Sequence, residues 1–173
     1  MNPPTLPAEG TLPLLMLQIV AVSGEFPAAF SGRFPGGSSY IESVTGKLKK
    51  DGLLRSYTKN GLRGLRLTAS AKRLLLQKYP VDLAPYLTGA SETNSLKSEP
   101  ERRLRLHRMA EALLILHNAQ IPSLPWKKPP IQGWRSNPTL FPVYYSSREF
   151  KSLGSLCTKI RNSRMTGVLF TEQ

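Results

Sequence analysis

Residues Gly36 to Thr68 read GGSSYIESVTGKLKKDGLLRSYTKNGLRGLRLT. The pattern predicts a helix, a stop, and two strands joined by a tight turn. Ser39 and Glu42 match a capping box, in which each side chain satisfies a free backbone donor at a helix start. Ile41, Val44, Thr45 and Leu48 follow at helical spacing and define an inward face. Asp51-Gly52 ends the helix, because glycine takes the left-handed conformation that a helix end often needs. Leu53 to Thr58 then reads as a strand, Lys59-Asn60-Gly61 as a turn with Asn-Gly chemistry, and Leu62 to Thr68 as the return strand.

A helix followed by a hairpin in this order resembles the recognition helix and wing of a winged-helix domain. The preceding chain supplies what such a domain needs. Residues 1–10 are proline-rich and read as a disordered lead. Thr11 is placed to cap a first helix that accepts Pro13 in its first turn and runs to Ser23-Gly24, apolar on all sides. Phe26, Phe30 and Phe34 share a four-residue spacing and mark a short second helix. After the hairpin, Thr68 caps a helix to Tyr79, with Ala71, Leu74 and Leu75 inward and Pro80 as its end. The winged-helix domain is thus expected over residues 11–79.

Composition points the same way. The chain of 173 residues carries 24 Lys+Arg against 11 Asp+Glu, a formal net charge of +13. Between Arg33 and Lys78 stand eleven Lys/Arg and two acids, Glu42 and Asp51. So basic a segment argues for a polyanionic partner, double-stranded DNA first. With Ile41, Val44 and Leu48 inward, a turn of about 100° per residue puts Ser39, Ser43, Gly46, Lys47 and Lys50 outward. Small polar residues permit close approach to a groove, and lysines neutralise phosphates. The expected DNA-binding residues are Ser39, Tyr40, Ser43, Lys47, Lys50, Lys59, Arg63 and Arg66. The helix face lacks Arg, Asn and Gln for bidentate base contacts, so backbone-dominated binding is expected, with specificity from DNA shape or partners.

The rest of the chain is less regular. Residues 80–98, with Pro85, Gly89 and the run SETNS, read as a linker. A long helix is expected over 99–120, capped by Ser98, with Leu106, Met109, Ala110, Leu113, Leu116 and His117 as an apolar stripe. The stripe either packs within the chain or joins two copies as a homodimer. Arg102, Arg103, Arg105 and Arg108 crowd its first half and extend a basic surface. Residues 121–138 hold five prolines and two tryptophans, Trp126 and Trp134, and read as a crossing loop. Over 139–173 the pattern gives a strand to Tyr145, a helix opened by a second capping box at Ser146 and Glu149, and a strand from Arg164 to Thr171. Two strands are marginal alone, so this unit either pairs with another segment or begins a longer domain. The expected class is α+β: an N-terminal winged helix-turn-helix with three helices, a β-hairpin wing and extra helices, then a small strand-helix-strand unit.

Catalysis is not expected, and neither a metal nor a cofactor. His107 and His117 are poor co-ligands, ten residues apart on one helix, and neither a phosphate loop nor a nucleophile elbow occurs. Tyr144 and Tyr145 read as core or surface aromatics rather than nucleophiles on DNA. Cys157 sits among Leu153, Leu156 and Ile160 as a buried thiol, and a single cysteine fits a reducing compartment. The apolar run Leu12 to Val22 is too short to span a bilayer, so a cytoplasmic location without membrane contact is expected.

The segment SSYIESVTGKLKKDGLLRSYTKNGLRGLRLTASAKRLL, with RRLRLHRMAEALLIL and YYSSREFKSLGSLCTKIRNSRMTGVLF, resembles the replication-relaxation-like winged-helix proteins of plasmids and conjugative elements in Gram-positive bacteria. That resemblance implies an accessory or regulatory role in replication, transfer or transcription of a mobile element, with a relaxase or replication protein as a further partner. It carries over no catalytic residue. The competing reading from the residues is a winged-helix module for protein-protein assembly.

Overall fold

The computed structural model of the chain describes residues 3–88, 99–131, 142–146, 149–152 and 167–171. It is a mixed α+β structure in two compact units, Met1–Leu114 and Ile115–Gln173.

The first unit is built on α1 (Leu12–Ser23), whose residues Leu14 to Ser23 are all buried. Its apolar content on every side is satisfied by neighbours on every side: α1 packs against a sheet and three further helices. A fully buried Leu or Ile contributes about 1.5–3 kcal/mol, so this helix is the main apolar anchor of the unit. Thr11 occupies the cap position with extended backbone, but its hydroxyl donates to the Ala8 carbonyl rather than capping α1. The lead before it is tethered. Glu9 accepts from the Tyr79 hydroxyl at 2.5 Å and pairs with Lys78 at 2.8 Å.

Phe26 does not begin a helix. Phe26–Pro27 forms the short strand β1, and the expected short second helix is a 3-10 helix over Ala28–Arg33. Proline, which cannot donate to a ladder, sits at an edge as sheet chemistry requires. The three phenylalanines still cluster, with Phe26 at 5.1 Å from Phe34 and 6.4 Å from Phe30.

Helix α2 (Ser38–Lys50) follows. Its expected capping box is not formed. Gly36 and Gly37 take φ of +114° and +80°, and the Gly37 carbonyl accepts from Ile41 N. The helix therefore starts at Ser38, and Ser39 is already inside the first turn, out of position to cap. The other end matches expectation. Gly52 (φ +70°) lets Leu53 N reach Leu48 O and Gly52 N reach Lys49 O, a Schellman pair.

Strands β2 (Leu54–Lys59) and β3 (Leu62–Leu67) form the hairpin around Asn60-Gly61, both at positive φ as a two-residue hairpin turn demands. β1 pairs antiparallel with the free edge of β3, Phe26 opposite Leu65, giving the order β1-β3-β2. Thr68 caps α3 (Ala69–Lys78), accepting from Ala71 N at 3.2 Å and donating to the Gly52 carbonyl. Pro80 ends α3 and also begins α4 (Pro80–Leu87), so part of the expected linker is helical. Proline at the first helical position loses no hydrogen bond. Residues 89–98 lie outside the described residues. Helix α5 (Pro100–Asn118) follows, and its residues as far as Leu114 belong to this unit.

In the second unit β4 (Val143–Ser146) pairs antiparallel with β5 (Gly167–Phe170). The expected helix from Ser146 is described only as a 3-10 turn, Glu149–Ser152, and the rest of it, with Cys157, lies outside the described residues. The capping pattern at its start is half realised, since Ser146 N and Oγ both donate to Glu149 Oε2.

Candidate nucleic-acid interface

Helix α2 presents two faces. Ile41, Val44 and Leu48 are buried, while Ser39, Tyr40, Ser43, Gly46, Lys47 and Lys50 are exposed. The outward set named from periodicity is thus brought together on one side of one helix. Tyr40 is half exposed (51%), its ring lying against Gly36, where a Cβ would collide with it. Gly46 has open space around its missing Cβ.

The hairpin splits its cations. Thr58 faces Arg63 and Lys59 faces Leu62 across the ladder, and side chains alternate along each strand. Lys59 therefore shares a face with Arg55, Tyr57, Gly64 and Arg66, and Arg63 stands on the other. Lys59, Arg63 and Arg55 are exposed. Arg66 is not a free cation of the hairpin. Its Nη2 and Nε both lie 2.6 Å from Glu25 Oε2, and its guanidinium lies 3.8 Å from the centre of the Tyr57 ring. The other seven residues expected to contact DNA are exposed, and Arg66 is held inward by Glu25, an acid outside the basic segment between Arg33 and Lys78.

Glu25 is the buried centre of the unit. Its side chain is fully shielded, as is that of Arg103 from α5. Arg103 Nη2 donates to Glu25 Oε1 at 2.6 Å, and His107 Nε2 donates to the same oxygen at 2.8 Å. Burial pushes the Glu25 carboxyl up; hydrogen bonds from His107, Arg103 and Arg66, with the Arg66 charge, outweigh it and hold it at about 2. Arg103 goes further, donating to the carbonyls of Lys59 (2.9 Å), Leu62 (3.0 Å) and Tyr57 (3.2 Å). Three carbonyls beside the hairpin tip are thereby bound to a helix about forty residues later. Gly64 makes room for this, because a Cβ there would run into the Glu25 carboxylate.

The inward face of α5 is accordingly not the stripe expected. Arg103, His107, Ala110, Leu113 and Leu114 are buried, while Leu106, Met109, Leu116 and His117 are only partly covered. The helix is rotated so that Arg103 and His107 reach Glu25, and Arg103 is withdrawn from any basic surface. The sequence held a signal for this: Arg103, His107, Ala110 and Leu114 recur at intervals of four, three and four. An arginine and a histidine at helical spacing fall outside an apolar stripe because they are polar.

The second unit has a polar centre of its own. Lys128 is buried, and its Nζ donates to the carbonyls of Tyr144 (2.6 Å) and Ser123 (3.0 Å) and pairs with Glu149 at 3.0 Å. Burial pushes its pKa down, and Glu149 opposes the shift. Tyr144 and Tyr145 are buried in the same strand, and Tyr145 donates to the Pro129 carbonyl at 2.9 Å. Lys128 is thus a structural cation rather than a surface charge beside Trp126. Trp134 and Arg135 lie outside the described residues.

Among the described residues, no cluster of three or more His, Cys, Asp or Glu is placed to hold a metal ion. Among them also, no helix is long and apolar enough to cross a membrane. Comparison with protein-family models, curated proteins and solved structures returned no significant match.

Proposed function

We propose that the chain is a DNA-binding protein of the winged-helix kind, acting in the cytoplasm as an accessory or regulatory factor in replication, transfer or transcription of a mobile element. One observation carries this reading: Ser39, Ser43, Gly46, Lys47 and Lys50 form a continuous exposed face on a helix whose opposite face is locked into the core. The serines at the start of that face and Gly46 beyond them permit close approach to a groove, and the lysines toward its end meet phosphates. Lys59 and Arg63 at the hairpin tip extend the contact to a neighbouring stretch of backbone. The face offers no bidentate reader of a base edge, so affinity is backbone-dominated and sequence preference arises from DNA shape or from a relaxase or replication protein bound alongside.

Titrating a labelled duplex with the full chain over a series of salt concentrations tests the proposal. Binding at low salt that weakens linearly in log-log form, with slope about −0.9 per neutralised phosphate, supports it. Absence of duplex binding at low salt overturns it and leaves protein-protein assembly as the role of the helix and hairpin.

A further inference from the structure

Helix α5 has a second patterned face. Leu104, Arg108, Glu111 and Ile115 recur at intervals of four, three and four residues, within about 60° of one another around the helix. This stripe is turned about 100° away from the buried residues Arg103, His107, Ala110 and Leu114. Leu104 is 40% exposed and Ile115 57%, two large apolar side chains left to solvent on one line. Among the described residues, no ion pair engages Arg108 or Glu111.

The order of these residues is a palindrome in chemistry. Reading from either end gives an apolar residue, a gap of three, a charge, a gap of two, a charge, a gap of three, and an apolar residue. The centre falls between Met109 and Ala110, and the two inner charges are opposite in sign. We propose that two copies of the chain pair antiparallel through this face, about a two-fold axis at that centre. In that arrangement Leu104 packs on the partner's Ile115, and Arg108 meets the partner's Glu111, each contact occurring twice as an isologous interface requires. The four residues span about 16 Å, three helical turns, matching the length over which two helices at 8–10 Å separation interdigitate. A parallel pairing would instead set Arg108 against Arg108 and Glu111 against Glu111. Charge complementarity therefore selects both the partner, a second copy, and its direction.

The pairing stands on the helix alone and does not rest on DNA binding, so the two can fail separately. DNA affinity falls as salt rises, whereas the net charge of +13 opposes self-association and moderate salt relieves that repulsion.

Sedimentation equilibrium of the full chain without DNA, at moderate salt, is the test. The parent associates to a dimer. Arg108→Glu and Glu111→Arg each weaken the dimer by about tenfold or more, since each turns two attractions into two repulsions, and the double exchange R108E/E111R restores it. In a Cys157→Ser background, mixing L104C with I115C protein gives an interchain disulfide, and L104C alone gives none. A parent that stays monomeric at all concentrations overturns the proposal. So do single charge reversals that associate like the parent, or L104C chains that cross-link to one another.

Discussion

Arg103 and Glu25 meet at 2.6 Å with both side chains fully shielded from solvent, and the same guanidinium binds the carbonyls of Tyr57, Lys59 and Leu62. The pair does two tasks at once. It neutralises a buried carboxylate, and it fixes the hairpin that carries Lys59 and Arg63 against α5. A buried charge pair hydrogen-bonded in this way is costly to break from one side, because the survivor is left buried and uncompensated.

Glu25→Ala and Arg103→Ala are each expected to lower stability by about 3–5 kcal/mol. Glu25→Ala strands Arg103 and deprives Arg66 of its partner, so it should be the worse of the two. The E25A/R103A double variant should lose less than the sum of the singles. Urea unfolding of all three checks this; strict additivity would mean that the pair is not a coupled unit.

Acid should act through the same carboxylate. Glu25 sits at about 2 in the folded protein against 4.5 as a free side chain. A depressed carboxyl contributes stability that is full above pH 4.5 and is lost as pH falls from there toward about 2. Tyr79 sets the opposite limb. Burial and the neighbouring Glu9 raise it from 10.0 to about 12, so its contribution is full below pH 10 and fades toward pH 12. Midpoints of urea unfolding across pH should show both limbs, with the acid limb flattened in Glu25→Gln and the alkaline limb flattened in Tyr79→Phe.

Two glycines should respond in opposite ways. Gly64→Ala drives a methyl group into the Glu25 carboxylate and is expected to cost about 1–3 kcal/mol. Gly46→Ala meets open space in the middle of α2 and should stabilise by about 0.5–1 kcal/mol through helix propensity. If the α2 face lies against DNA, that same methyl weakens duplex binding while thermal stability rises. Equal or better binding by G46A would place the groove elsewhere.

The parts of the fold visible in the sequence were those set by local chemistry. The Asp51-Gly52 stop, the Asn60-Gly61 turn and the Thr68 cap each need a particular residue at a particular dihedral angle, and each stands where the residues put it. The Ser39-Glu42 box failed because Gly36-Gly37 offered an earlier start, a choice between two local solutions that pattern alone does not rank. Phe26 as a strand, and α5 turned toward Glu25, depend on partners 39 and 78 residues away. Residue type does not distinguish Arg103, shielded against Glu25, from Arg102 or Arg105 beside it; only its helical spacing to His107, Ala110 and Leu114 does. On the candidate interface, periodicity sufficed for α2 because its buried residues are all apolar. It did not suffice for Arg66, whose inward role follows from a single acid 41 residues earlier, just ahead of the neighbouring strand β1.

The most direct measurement is duplex affinity across a salt series for the parent, the K47A/K50A/R63A triple variant and Arg66→Ala. Removing three phosphate contacts should flatten the log-log slope by about 2.7, at about 0.9 per contact. Arg66→Ala, whose partner is Glu25, should lose stability and keep the parent slope. A triple variant that binds DNA with the parent's slope would contradict the assignment of α2 and the hairpin tip as the DNA-contacting surface.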